Sequence, residues 1–169
     1  MVKTRIDRRK LMAAIAAFAT IPHVAWAEDY IDLNWTDLVP AGQPVVPPVI
    51  QELLQHDQAP LSSQQPASMG VRTEWNNQIV RLPGFIVPID YLGAGVTAFI
   101  LVPYVGACIH VPPPPANQLV FVTTNTPYEG TGLFEAVNVT GMFGTASMST
   151  QLADIAYALS ADQIESFRS

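Results

Sequence analysis

Short apolar runs broken by glycine and proline dominate the chain from Val71 onward, and they constrain its fold more than any other feature. Runs of this kind, rich in β-branched and aromatic residues and bounded by turn residues, are typical of β-strands. They predict five strands, at residues 79–90, 97–102, 118–124, 134–143 and 155–166. The last run also contains Ala, Leu and Gln, which favour a helix, but the alternation of Tyr157, Leu159 and Ala161 favours a strand.

Two glycines inside predicted strands indicate how the strands are arranged. Gly84 and Gly141 stand where a closed sheet must bend sharply. The runs at 80–86 and 137–141 look like the first and a later strand of an OB-type barrel. The predicted fold is therefore mainly β, a small OB-like barrel of about five strands with an N-terminal arm and one short helix. A β-sandwich is the alternative.

Residues 28–70 precede the strands and are predicted to form an arm, a short helix and a loop. We expect Trp35 to pack the arm against the barrel, because its side chain buries a large apolar area. Residues 47–56 begin with prolines and carry one apolar face, which predicts a short helix. The barrel domain is then predicted over residues 71–169.

The first 27 residues have the three parts of an export signal peptide. A basic segment is followed by an Ala-rich apolar run over residues 11–21 and by the small-x-small sequence Ala25-Trp26-Ala27. The apolar run is shorter than the roughly 20 residues that a membrane-spanning helix needs. We therefore expect cleavage after Ala27, a mature chain that begins at Glu28, and a periplasmic protein without a stable membrane anchor.

Arg8 and Arg9 suggest a particular export route. With the following Lys10, they resemble the twin-arginine motif, although Asp7 stands where that motif usually has Ser or Thr. The twin-arginine and general secretory routes both remain open.

The mature chain is strongly acidic. The full sequence has a formal net charge of −6, and removing a signal with five basic residues and one acid leaves −10. Its cations are Arg72, Arg81 and Arg168, and it has no lysine. Nucleic acids, which are bound through Lys and Arg, are excluded as partners, and anionic lipid surfaces are disfavoured. Cationic partners and metal ions are attracted.

Cys108 and His110 form the one sequence pattern with an evident chemistry. On an extended backbone, side chains two residues apart point to the same side, so a thiolate and an imidazole could converge on a zinc or copper ion. The prolines at 112–115 would stiffen this segment. The alternative is that the lone cysteine is a buried core residue and His110 its neighbour.

Two ligands do not complete a zinc site, which usually has three or four. Candidates for the others are His56, Met69, Asp90 and Glu135, and the sequence does not choose among them.

Residues 101–118, LVPYVGACIHVPPPPANQ, closely resemble the signature of the DUF3299 family of exported bacterial proteins. Supporting matches are WTDLVP at 35–40, LPGFIVPID at 82–90 and FEAVNVTG at 134–141. The resemblance implies a periplasmic or lipid-anchored protein, in a family some of whose members are associated with transporter operons linked to metal uptake. It favours the metal interpretation of Cys108 and His110 without adding further ligands.

Three functions follow as hypotheses. The first is a non-catalytic protein that binds zinc or copper through Cys108 and His110 and serves a periplasmic or transporter-associated partner. The second is a metal-independent module that binds a partner protein or a small ligand. The third is an enzyme with Cys108 as nucleophile and His110 as base. The sequence favours it least, because no hydrolase, metalloprotease or nucleotide-binding motif is present.

Overall fold

The computed structural model describes residues 30–42, 61–68, 70–130 and 132–167. The predicted signal peptide and the predicted helix at 47–56 lie outside these residues. Three short 3-10 helices occur in the described part, at Trp35–Leu38, Leu61–Gln64 and Ala116–Gln118. The strands are β1 (Ile31–Asp32), β2 (Gln78–Leu92), β3 (Gly95–Val102), β4 (Val120–Tyr128), β5 (Ala136–Ser149) and β6 (Asp154–Ser166). No helix among the described residues is long and apolar enough to cross a membrane.

The five strands predicted from the sequence correspond to β2–β6, and they close into a barrel. Their order is β2-β3-β4-β6-β5, and β5 pairs back onto β2. All neighbours are antiparallel except β4 and β6, which are parallel. This closed ring is the arrangement of an OB-type barrel, so the predicted fold is confirmed and the sandwich alternative is not needed.

Strand β2 is fifteen residues long because three strands share it. Its first half pairs with β5 and its second half with β3, and β3 reaches back only as far as Phe85. On the N-terminal side of Phe85, the edge of β2 that β3 does not reach pairs with β1 instead, in parallel, at Val80 and Arg81. The backbone N–H of Leu33 continues this pairing of the arm with β2 by donating to the Arg81 carbonyl at 2.9 Å. The arm, residues 30–42, thus covers an edge that β3 leaves open.

The two strand glycines lie where other groups approach the backbone closely. A Cβ at Gly84 would lie 2.8 Å from the Leu101 side chain and 3.0 Å from the Trp35 ring. A Cβ at Gly141 would meet the Ser160 carbonyl oxygen and lie 2.8 Å from the Ala161 Cα. The pairing of β5 with β6 shifts register between Thr140 and Gly141, which marks the bend.

The barrel interior is one apolar cluster that includes part of the arm. Leu33 and Leu38 of the arm are buried in it, and Trp35 packs against it. The Trp35 indole N–H donates to the Pro83 carbonyl at 2.7 Å, so the predicted packing of Trp35 is confirmed. Tyr157, which is fully buried, donates its hydroxyl hydrogen to the Leu38 carbonyl at 2.8 Å and accepts the Arg72 backbone N–H at 2.7 Å.

A second apolar cluster lies on the outer side of β3 and β4. Ile100 and Val102 alternate with the inward-facing Phe99 and Leu101, and they pack against Ala107 and Cys108 of the segment that follows β3. In OB-type barrels the face of the second and third barrel strands often binds ligands. Here this face is covered by the chain's own segment 103–119.

Candidate functional site

The segment around Cys108 is a tight turn, and the extended backbone expected from the sequence is wrong. The Gly106 carbonyl accepts the backbone N–H groups of Ile109, His110 and Val111, at 3.3, 2.9 and 3.1 Å. Gly106 has φ 93° and Cys108 has φ 68°. The second value is rare for a residue with a side chain. A turn of this kind removes the alternation on which the same-side argument for Cys108 and His110 depended.

Cys108 lies in the second apolar cluster and is only 3% exposed. Burial raises the pKa of its thiol to about 12. The group is therefore a neutral thiol at neutral pH, and a neutral thiol is a poor nucleophile. What this side chain does in the described fold is fill space beneath the turn.

His110 lies at the surface, and its ring centroid is 6.0 Å from that of Phe134. Phe134 packs against the second apolar cluster, which contains Cys108. The imidazole of His110 and the thiol of Cys108 therefore lie in different environments, one at the surface and the other buried. No group of three or more His, Cys, Asp or Glu side chains that could hold a metal occurs among the described residues. These residues alone therefore do not complete a zinc site.

The other predicted ligands are dispersed. Asp90 is exposed on β2, while Glu135 accepts the Tyr128 hydroxyl hydrogen at 2.9 Å. Burial, followed by this hydrogen bond to Glu135, raises the pKa of Tyr128 to about 12. His56 and Met69 lie outside the described residues. A metal site at Cys108 and His110 stays a prediction.

The end of the 101–118 segment has a role that the sequence analysis missed. Asn117 and Gln118 are buried polar residues next to the proline run. The Asn117 amide donates to the Gly70 carbonyl at 3.0 Å, and the Gln118 amide donates to the Trp35 carbonyl at 2.8 Å. The Gln118 bond joins the arm to the segment that leads into β4, and the Asn117 bond joins the chain that precedes β2 to the same segment. Two adjacent amides in an otherwise apolar segment were the signal, since buried amides need partners.

An apolar pocket lies where the arm meets the barrel. It has a volume of about 220 Å³. Its walls come from the arm, from β2 and β5, and from the residues that directly follow β3 and β6. The lining residues are Trp35, Pro83, Gly84, Phe85, Pro103, Ala136, Val137 and Phe167.

A polar depression of about 390 Å³ adjoins the apolar pocket. It is lined by Arg81, Asn138, Glu165 and Ser166. Val137 of the pocket pairs with Ser166 of the depression, and Asn138 pairs with Glu165. Arg81 is two residues from Pro83 on β2, and Ser166 at the end of β6 directly precedes Phe167 of the pocket, so the two sites lie side by side.

The DUF3299 family model, described as a protein of unknown function, matches residues 35–166. The chain belongs to the DUF3299 family. The crystal structure of a DUF3299 family protein, PA4066 from Pseudomonas aeruginosa PAO1, is similar with a TM-score of 0.71 and 33% sequence identity. The match covers 83% of this chain and 97% of that one. A search of curated proteins gave no match.

The extent of the DUF3299 match agrees with the architecture of the site. It begins at Trp35 and ends at Ser166, the last residue of β6. The 3-10 helix of the arm is thus part of the family's structural unit together with the barrel. All residues of the polar depression, and all of the apolar pocket except Phe167, fall inside the match.

Proposed function

We propose that this DUF3299 protein is an exported, non-catalytic binding protein that holds a small ligand by an apolar group in the pocket beneath Trp35. The observation that carries the proposal is the pocket itself, whose walls are apolar and are shared between arm and barrel. Ligand pockets are typically apolar with a few polar groups nearby. A cavity of roughly 150 Å³ accommodates benzene, so a volume of about 220 Å³ suits one aromatic or branched group.

The covered outer face of β3 and β4 favours binding of a small ligand in the apolar pocket over binding of a nucleic acid. Segment 103–119 occupies the outer side of β3 and β4, where an OB-type barrel would otherwise bind oligonucleotides. The mature chain would also carry a net charge of −10. A surface of that charge repels a phosphate backbone.

Export is the second part of the proposal and rests on residues 1–27. When the full chain is expressed in a bacterium, the periplasmic fraction should contain a protein whose mass begins at Glu28. Replacing Arg8 and Arg9 together by lysine distinguishes the two routes, because the twin-arginine pathway requires the arginine pair. A cytoplasmic protein of full-length mass would contradict export.

Binding at the apolar pocket can be measured by NMR titration of the mature protein with p-cresol and isobutanol. We expect saturable shifts confined to the pocket residues. Ala136→Phe places a ring in the pocket and should abolish them. Ala94→Phe, on the exposed turn between β2 and β3, is the matched control and should leave them unchanged.

If p-cresol and isobutanol bind equally to Ala136→Phe and Ala94→Phe, the two probes bind outside the pocket, and the pocket is refuted as the site. An absence of shifts with either probe would refute small-ligand binding and leave a protein partner as the next candidate to test.

Metal binding is the second candidate function. It is favoured by the exposed imidazole of His110, two residues from a cysteine, on a strongly acidic protein. A non-catalytic accessory role in zinc or copper trafficking with a transporter-associated partner would follow. Elemental analysis of the protein purified from the periplasm tests it, beside Cys108→Ser, His110→Ala and His56→Ala. Near-stoichiometric metal that is lost with Cys108 and His110 supports this function, and metal-free wild-type protein rejects it.

A further inference from the structure

Arg81 is the charged group of the polar depression that can attract a ligand's anion. Among the described residues the only ion pair joins Arg72 and Glu74. Arg81 instead donates to the Tyr30 hydroxyl at 2.9 Å, and its guanidinium carbon lies 5.5 Å from the Tyr30 ring centroid. Asp32 stands opposite Arg81 in the pairing of β1 with β2, yet no carboxylate of the described residues lies within 4.0 Å of the guanidinium.

This arrangement leaves most of the guanidinium available. An arginine has five N–H donors, and the bond to Tyr30 uses one of them. The planar fork suits two parallel hydrogen bonds to a carboxylate. The bond to Tyr30 fixes the orientation of the guanidinium, and Arg81 itself is half-buried on β2. Arginine is scarce here, since the described residues include nine carboxylates and two arginines.

Glu165 and Asn138 supply the opposite chemistry on the other side of the depression. They pair across β5 and β6, while Arg81 lies on β2. Arg81 and Glu165 are thus two strand spacings apart and offset by two residues along the strands, or roughly 12 Å between backbones. Both long side chains line the same depression, so a small molecule can contact them together.

From these contacts we infer that the ligand is a free α-amino acid with an apolar side chain. Its carboxylate binds Arg81, its ammonium group binds Glu165 with Asn138, and its side chain enters the apolar pocket. The inference rests on the proposed function, because it names the ligand of that same pocket. The pocket volume of about 220 Å³ selects residues such as leucine, methionine and phenylalanine.

Isothermal titration calorimetry of the mature wild-type protein tests the assignment with a matched ligand series. L-Phenylalanine should bind more tightly than L-phenylalaninamide, which lacks the carboxylate, and N-acetyl-L-phenylalanine, which lacks the ammonium group. We expect each derivative to bind about tenfold more weakly or worse, as for the loss of a hydrogen bond to a charged group.

Variants assign the two charges. Arg81→Gln should weaken L-phenylalanine binding about tenfold or more while leaving p-cresol binding unchanged. Arg72→Gln removes an arginine that is paired with Glu74 and is the control for charge, for which no change is expected. Because Arg72 also donates to the Asp37 carbonyl of the arm at 3.1 Å, unchanged p-cresol binding must show that the pocket of this variant is intact. Glu165→Gln should weaken L-phenylalanine binding but not binding of the N-acetyl derivative, and Glu129→Gln in an exposed loop is its control.

The outcomes separate the two proposals. If L-phenylalanine, its amide and its N-acetyl form bind equally, or if Arg81→Gln binds L-phenylalanine as wild type does, the amino-acid assignment is overturned. Binding of p-cresol that is blocked by Ala136→Phe would then still support the apolar pocket. Failure of p-cresol to respond to Ala136→Phe overturns the proposed function itself.

Discussion

Cys108 owes its properties to a backbone conformation that few residues adopt. Its φ of 68° and the three N–H groups on the Gly106 carbonyl turn the side chain into the apolar layer over β3. In the DUF3299 signature segment the cysteine is therefore a buried packing residue next to an exposed histidine. The sequence pattern alone suggested two equivalent ligands, because spacing does not reveal a turn that places neighbours in different environments.

Alkylation of Cys108 should be slow and strongly dependent on pH. Because its pKa is raised to about 12, the reactive thiolate falls tenfold for each pH unit below that value. Iodoacetamide labelling, followed by mass spectrometry, should be far slower than for Cys108→Ser/Ala94→Cys, which carries an exposed cysteine on the β2–β3 turn. Comparable rates at neutral pH would show that the thiol is accessible and activated.

At the scale of strands, the close approach of β5 to β6 depends on one missing side chain. Gly141→Ala should lower the free energy of unfolding by about 1–3 kcal/mol, because its Cβ would collide with the backbone of Ser160 and Ala161. Gly144→Ala on the same strand is the control, since nothing lies within 4 Å of the added carbon. Urea denaturation measures both, and equal effects would contradict the close approach.

The arm is held to the barrel by polar contacts as well as by Leu33 and Leu38. Tyr157→Phe removes the bonds to the Leu38 carbonyl and the Arg72 N–H, and leaves both groups without their partner. We expect a loss of about 1–3 kcal/mol and faster amide exchange in the arm. Tyr91→Phe on the exposed hairpin is the control, and unchanged exchange in Tyr157→Phe would mean that the arm docks through apolar contacts alone.

Most of the barrel could be predicted from the sequence, whereas the site could not. Alternation and interior glycines give β2–β6, because both are local signals of strands and bends. The observed strand boundaries differ from the predicted ones where tertiary contacts decide them. Ala116–Gln118, for example, form a 3-10 helix where the strand at 118–124 was expected to begin. The apolar pocket and the polar depression combine residues from the arm, β2, β5 and β6, and no local pattern indicates that Trp35, Arg81 and Glu165 share one end of the barrel.

For the molecule as a whole, net charge is the dominant long-range term. Nine carboxylates and two arginines occur among the described residues, so the folded state repels itself. Raising sodium chloride from low to physiological concentration should raise the Tm, since the screening length falls to about 8 Å. Asp162→Asn combined with Glu129→Gln should reduce this salt dependence. A Tm that does not respond to salt would show that the repulsion is negligible.

The bond from Tyr157 to the Leu38 carbonyl spans 119 positions of the chain, and it has a consequence for biosynthesis. A ribosome delivers Leu33 and Leu38 long before β6 exists, so the arm has no finished surface to rest on until translation is nearly complete. Topologies dominated by such distant pairings fold slowly. A nascent or truncated chain without Tyr157 therefore leaves Leu33 and Leu38 without the surface that buries them, and only a chain that includes β6 covers both.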